Sequence, residues 1–365
     1  MKIELLKDSF IEAVVKAERV VSKNNTLPIL RCLLITATKE GEIIIQATNG
    51  ELGLRISTSA KVLEEGVVAV PASALLQSIQ SIVFDKKIHL SLEGNNLHIQ
   101  STKYNTIIKT LPHGDFPSVP VISAQNTFSI VSADLVEGLS AVSFCAAQSS
   151  IKPELSSVYI YSNTDLVFVA TDSFRLAEKK IKTKKELPDF SVLIPSRNIP
   201  EITRTLSDLK GDIEVSVADH QISFQQQGIY LTSRIIDGTF PDYRQIIPKG
   251  HTTRTVALVQ DIQHALKSAS IFSDRFQKLT ISVVPLEKNI IFKTSNPDVG
   301  ETTNAIDATI EGDSVEINFN FRYIADAFAP IEASSVEFIL NGVNKILIRG
   351  YNDPNFQYIV MPMNR

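Results

Sequence analysis

Gly238-Thr239-Phe240-Pro241 repeats, about 124 residues on, the turn Gly114-Asp115-Phe116-Pro117. Gly and Pro are strong punctuators of chain direction, but one Gly-x-Phe-Pro is a weak signal. It gains force from what recurs around it. Upstream of each turn, and again in the last third of the chain, a short alternating strand leads through a polar turn into an amphipathic helix. The strands are Lys2–Lys7, Thr127–Val131 and Arg254–Val259, and the spacing predicts helices over about 9–21, 133–148 and 260–273. Asp8, Asp134 and Asp261 stand where a first-turn carboxylate favours helix initiation. Phe10, Leu135 and Ile262 are each followed four residues later by an apolar residue, Val14, Leu139 and Leu266. That spacing is one face of a helix.

A second helix is predicted in each third, over about 72–82, 196–206 and 321–331. The first two follow Val70-Pro71 and Ile194-Pro195. Proline suits a helix start because its missing donor does no harm there. Pro200 lies near the first turn of the middle helix, which can therefore begin late. Short β-rich runs with turn residues fill the remainder. The chain thus reads as α+β: three tandem copies of one module, each with strands on one side and two helices on the other. The copies span residues 1–122, 126–247 and 252–365. So long a period excludes a solenoid. Three such domains in line give an arc, and twofold symmetry can close two arcs into a ring.

The place that matches the Gly-x-Phe-Pro turn in the last third is assigned to the terminal run, Tyr358-Ile359-Val360-Met361-Pro362-Met363-Asn364-Arg365. A terminus is usually polar; this one is apolar almost to its last residue. Tyr358–Met361 reads as a strand that Pro362 stops. One reading is a last strand tucked into its own sheet. The other is a strand whose far end, with its two methionines, forms the lip of an apolar binding groove.

Totals narrow the function class. A chain of 365 residues is too long for one ordinary core. With 44% hydrophobic and 21% charged residues it is globular. A net charge of -4 argues against gripping nucleic acid with the whole surface, though not against a local basic patch. Cys32 and Cys145 match no metal or redox spacing and read as buried thiols in a reducing compartment. No apolar run approaches the roughly 20 residues of a membrane helix, and the N-terminus lacks the apolar core of a signal peptide. A cytoplasmic protein without membrane contact is expected.

Catalytic patterns are missing. There is no phosphate loop, G-x-S-x-G or H-E-x-x-H, and the six histidines have no partners at metal-ligand spacing. Neither a metal nor a cofactor is expected. Thr171-Asp172-Ser173-Phe174-Arg175-Leu176 is the most suggestive cluster, because it follows an apolar strand. An enzyme would use Asp172 as base and Arg175 as anion clamp. A structural reading makes the two a pair that holds a tight turn. A third reading makes Phe174, Leu176 and the Arg175 stem part of an apolar pocket. Basic residues on helices, Lys16, Arg19, Lys23, Arg197 and Arg204, read first as solvated faces.

Taken together the chain resembles the bacterial DNA polymerase III beta subunit family, the sliding clamps. The resemblance spans nearly the whole length and rests on Thr26-Leu27-Pro28-Ile29-Leu30, Ala170-Thr171-Asp172-Ser173-Phe174-Arg175-Leu176, Asp237-Gly238-Thr239-Phe240-Pro241-Asp242-Tyr243-Arg244 and Val360-Met361-Pro362-Met363. It implies a non-catalytic processivity factor. A head-to-tail homodimer would form a six-domain ring around double-stranded DNA, helices lining the hole, at the nucleoid in the cytoplasm. Topological linkage would retain it, so few phosphate contacts are needed. Lys16, Arg19, Lys23, Asn24, Gln148, Arg197 and Arg204 would face the DNA.

The resemblance also implies a groove between the second and third modules. It would bind short apolar-anchored peptides of the polymerase alpha subunit, the clamp loader and other clamp-binding proteins. Its wall would comprise Leu155, Thr171, Ser173, Phe174, Arg175, Leu176, Pro241, Ile246, Ile359, Val360, Met361, Pro362 and Met363. The chain departs from the family where Ser173-Phe174 replaces a common Gly-His, where Gln245 replaces an Arg, and where Asn24-Asn25 replaces a basic residue. The dimer seam would join the edge strand Thr106–Thr110 to the third module of the partner, Ile108 meeting Ile271 and Phe272.

Overall fold

The computed structural model describes residues 1–22, 27–122, 126–149, 151–183 and 185–363. Lys23 and Asn24 lie outside the described residues. Among those described there are six α-helices: α1 Lys7–Val20, α2 Ala72–Gln80, α3 Ser132–Val142, α4 Ile199–Ser207, α5 Val259–Ile271 and α6 Phe321–Asp326. Asp8, Asp134 and Asp261 do occupy first turns. In α1 the residues Phe10, Ala13, Val14, Ala17 and Val20 are buried, and in α5 Ile262, Ala265, Leu266 and Ala269. These are the single faces that the three-and-four spacing demands.

Two helices stop sooner than their patterns suggest. α3 ends at Val142, whose φ of -122° leaves the helical region, and a 3-10 turn Ser143–Cys145 follows. That turn buries Cys145 and frees the Phe144 carbonyl for a distant partner. α6 ends at Asp326, short of the expected Ile331. Pro330 lacks a donor and disfavours helical geometry in the residue before it. α4 begins late, after a 3-10 turn Ser196–Asn198.

Two compact units emerge, residues 1–135 with 200–235, and residues 136–199 with 236–365. The first holds a five-stranded and an eight-stranded antiparallel sheet, the second a nine-stranded and a four-stranded one. Each sequence repeat contributes two blocks of four or five strands, and the eight- and nine-stranded sheets each join blocks from two repeats. In the first unit the block ending in Leu52–Ser59 is continued by the one ending in Ile229–Arg234, with Leu54 opposite Leu231. In the second unit Arg175–Ile181 is continued by Phe356–Val360, with Leu176 opposite Ile359. Backbone bonds therefore run unbroken across the sequence repeats, which is why contacts divide the chain in the middle of its second repeat. Gly53 serves the first junction: a Cβ there would lie 2.8 Å from Val119.

The corresponding outer strands of the first and third repeats have no such continuation. Asn105–Lys109 ends the five-stranded sheet and Gly300–Asp307 ends the four-stranded one. Each carries one open edge among the described residues.

Candidate functional site

The turn Thr171–Arg175 is built by its own side chains. Thr171 Oγ1 donates to the Arg175 carbonyl at 2.7 Å and accepts the Ser173 N–H at 3.2 Å. Asp172 Oδ1 accepts the N–H groups of Phe174 and Arg175, both at 2.9 Å. Ser173 sits at φ +78°, a left-handed conformation in which glycine is at home.

Arg175 leaves this turn toward the helices. Its Nε donates to Asp172 Oδ2 at 3.0 Å, Nη1 to Asp326 Oδ2 at 2.6 Å and Nη2 to the Phe144 carbonyl at 2.7 Å. The guanidinium lies 4.4 Å over the Tyr323 ring. Burial opposes its charge, and the hydrogen-bonded Asp326 carboxylate favours it. Asp172 and Arg175 are thus committed to one another and to the frame, and the base-and-clamp reading is set aside. They are the pair that holds the turn.

A buried apolar floor lies on the opposite sheet face. Directly paired residues of antiparallel strands share a face and neighbours alternate. Leu176 and Ile359 therefore face one way, with Thr171, while Arg175 and Val360 face the other. Leu176 and Ile359 are buried in a cluster with Phe240 and Tyr243. Pro241 and Ile246 flank those two aromatics along the chain, so the second Gly-x-Phe-Pro run supplies the far side. Leu155 is buried, and its carbonyl takes the Ala147 N–H at 2.8 Å.

On the segments that carry these residues three apolar side chains stay in water: Phe174 at 60% exposure, Ile246 at 38% and Met361 at 37%. The terminal strand closes at Val360, one residue before its expected end. Met361 N–H still donates to the Phe174 carbonyl at 2.8 Å, and Met363 N–H to the Asn318 carbonyl at 2.8 Å. Phe174 and Met361 are thereby tied together, with Pro362 and Met363 continuing the lip. Arg175 and Val360, assigned to the wall from sequence, point to the other face of the sheet.

The terminal run occupies a different place in the repeat from the one expected. In the first unit Arg234 N–H donates to the Glu51 carbonyl at 2.9 Å, the same bond that Met361 makes to Phe174. Val360-Met361-Pro362-Met363 therefore matches Ser233-Arg234-Ile235-Ile236, upstream of the Gly238 turn. The phase is set by strand pairing, which composition does not reveal.

The expected DNA-facing residues differ in availability. Lys16 is bonded to Glu12 at 2.9 Å and Asp208 at 3.4 Å. Arg204 is bonded to Glu201 at 2.7 Å. Arg19 is half-buried, and Arg197 and Gln148 are exposed. At the expected dimer seam Ile108 is 8% exposed, with Thr106 half-buried on the same face, whereas Ile107 is 56% exposed. Strand alternation turns Ile108 inward. Ile271 is exposed and Phe272 half-buried.

Asp326, Phe144, Tyr323 and Asn318 were not legible as site residues. They reach the turn and the lip only through tertiary contacts. Among the described residues no helix is long and apolar enough to cross a membrane, and no three His, Cys, Asp or Glu side chains are placed to hold a metal.

A threefold α+β repeat joined through continuous antiparallel sheets defines a multidomain protein of the clamp class. Family models described as the N-terminal, central and C-terminal domains of the DNA polymerase III beta subunit match residues 1–120, 129–242 and 244–364. The chain belongs to that family, the bacterial sliding clamps, and is a non-catalytic processivity subunit. The beta sliding clamp of Proteus mirabilis is 26% identical over 369 residues, covering 100% of both chains. That of Streptococcus pneumoniae is 25% identical, covering 98% and 97%. The crystal structure of the DNA polymerase III subunit beta from Pseudomonas aeruginosa superposes with a TM-score of 0.94 at 25% identity, both chains covered fully. The Bacillus subtilis clamp shares the fold, with a TM-score of 0.94 at 23% identity, covering 100% and 99%.

Proposed function

We propose that two copies of this chain pair head to tail into a ring that encircles duplex DNA and slides on it. The groove on Leu176 and Ile359 tethers the polymerase alpha subunit, the clamp loader and other partners through short apolar-anchored peptides. The observation that supports the tethering role is the buried floor of Leu176 and Ile359 with Phe174 and Met361, bonded to one another and exposed, at its end. Burying one such side chain on binding is worth roughly 1.5–3 kcal/mol. Phe174 makes the groove more apolar than the common family pattern.

The ring follows from the repeat. Leu52–Ser59 and Arg175–Ile181 each take a continuing strand, and Gly300–Asp307 is their counterpart in the third copy. Ile229–Arg234 and Phe356–Val360 each provide one, and Asn105–Lys109 is their counterpart in the first copy. Pairing Asn105–Lys109 of one protomer with Gly300–Asp307 of its partner would repeat the same junction and cover both open edges. Ile107, rather than Ile108, then meets Ile271 and Phe272. Lysines and arginines already bonded to carboxylates leave a weakly attractive lining, which suits sliding. The modules are assigned to 1–122, 126–247 and 252–365, and the ring works at the nucleoid in the cytoplasm.

The test is loading by a clamp loader. The protein should stay on circular DNA at high salt and leave when the DNA is cut. Equal salt sensitivity on both DNAs would contradict the topological mechanism. Deleting Met361–Arg365 should abolish binding of polymerase and loader peptides with the dimer intact; unchanged peptide affinity would remove the groove.

A further inference from the structure

A recess of about 430 Å³ lies further along the sheet face that carries Leu176 and Ile359. Leu176, Glu178 and Lys180 alternate onto that face, paired with Thr171, Val169 and Val167. At about 3.3 Å per residue, Lys180 stands roughly 13 Å along the strand from Leu176. Between them the buried Glu178, Phe240 and Tyr243 form a partition.

The partition is internally satisfied. Arg244 Nη2 donates to Tyr161 Oη at 2.9 Å, and the Tyr161 and Tyr243 hydroxyls are 2.8 Å apart. Tyr243 donates to Glu178 Oε2, so the proton between the tyrosines comes from Tyr161. Gln357 Nε2 and Lys180 Nζ take the other carboxylate oxygen of Glu178. The charge of Glu178 is consumed inside.

Beyond the partition the recess is walled by Val167, Ile247 and Pro248 and rimmed by Lys180, Arg244 and Lys249. Asp165 is its one acid besides Glu178. Arg244 is bonded to neutral phenols, Tyr161 at 2.9 Å and Tyr243 beside it, and among the described residues Lys249 has no partner. Lys180 and Glu178 are spent on one another, so the charges left to this recess are Arg244 and Lys249 against Asp165. The volume is that of a ligand pocket, and guanidinium is the natural partner of a carboxylate.

We propose that this recess docks an acidic peptide segment of a partner protein. An apolar side chain enters against Val167 and Ile247, and the adjacent carboxylate meets Arg244 and Lys249. The proposal stands whether or not the groove on Leu176 binds peptides.

The test uses the full chain with labelled Ile and Val methyl groups. Three probes are titrated: Ac-Leu-Glu-Leu-NH2 and its Gln and Lys counterparts. The Glu peptide should shift the Val167 and Ile247 methyls saturably while Ile359, on the groove floor, stays unmoved. It should bind at least fivefold more tightly than the Gln peptide. Arg244→Gln and Lys249→Gln should each weaken the Glu peptide about fivefold and leave the Gln peptide unchanged. Lys249 has no internal partner, so its variant decides should Arg244→Gln disturb the Tyr161 network. Equal binding of Glu and Gln peptides, preference for the Lys peptide, absence of saturable shifts, or shifts confined to Ile359 would each overturn the proposal. Only the last would leave the groove reading standing on new support.

Discussion

The turns Thr48–Leu52 and Thr171–Arg175 are bonded alike yet serve different ends. In the first, Thr48 Oγ1 donates to the Leu52 carbonyl at 2.7 Å and accepts the Gly50 N–H at 3.0 Å. Asn49 Oδ1 takes the N–H groups of Glu51 and Leu52. Thr171 and Asp172 repeat each of these bonds. Gly50 at φ +92° stands where Ser173 stands at +78°. The difference begins one residue later. Glu51 presents a carboxylate where Phe174 presents a ring, and Leu52 goes into the core where Arg175 reaches Asp326 and Phe144. A Thr-Asx pair is enough to shape the corner; the residues that follow decide whether it only caps a hairpin or is also anchored to distant helices.

Substitutions can break this comparison. Arg175→Leu installs the residue of the first turn and should cost about 2–4 kcal/mol in urea denaturation, because Asp172, Asp326 and the Phe144 carbonyl lose their donor. A cost under about 0.5 kcal/mol would mean that the corner does not need its anchor. Asp172→Asn keeps the caps but sets an amide against Arg175 Nε, for an expected loss of about 1–2 kcal/mol. The reciprocal Asn49→Asp should stay within about 0.5 kcal/mol, so equal effects would erase the distinction between the turns.

Phe174→Ala should leave stability nearly unchanged while weakening a polymerase-derived peptide about tenfold in fluorescence anisotropy. The smallest effects concern the left-handed position. Ser173→Gly should stabilise by less than about 1 kcal/mol and Gly50→Ser should destabilise by a similar amount. Matching signs in calorimetry would show that the two positions are not equivalent.

Much of the fold was legible because it rests on local chemistry. Helix faces at Phe10, Val14, Ile262 and Leu266 follow from residue spacing, and helix starts from Asp8, Asp134 and Asp261. Helix ends were less legible. α3 stops where the Phe144 carbonyl is needed by Arg175, some 31 positions away. Strand phase at the candidate site was half legible. Leu176 pairs with Ile359 and Met361 bonds Phe174, whereas Arg175 and Val360 turn to the other sheet face, and on the edge strand Ile107 rather than Ile108 is exposed. In each case a one-residue choice of strand phase inverts every side chain, and short apolar runs such as Ile107-Ile108 or Ile359-Val360 carry no alternation to set it.

By itself the sequence determined three copies of an α+β module, the Thr-Asx corner and an apolar terminal run, since these depend on residues a few positions apart. Tertiary structure alone decided which residues of that run face the groove and which repeat position it fills. It also decided where Arg175 sends its charge and which strand edges stay open. Those outcomes depend on hydrogen-bond registers between strands more than 100 positions apart, such as Leu176 with Ile359 and Leu54 with Leu231.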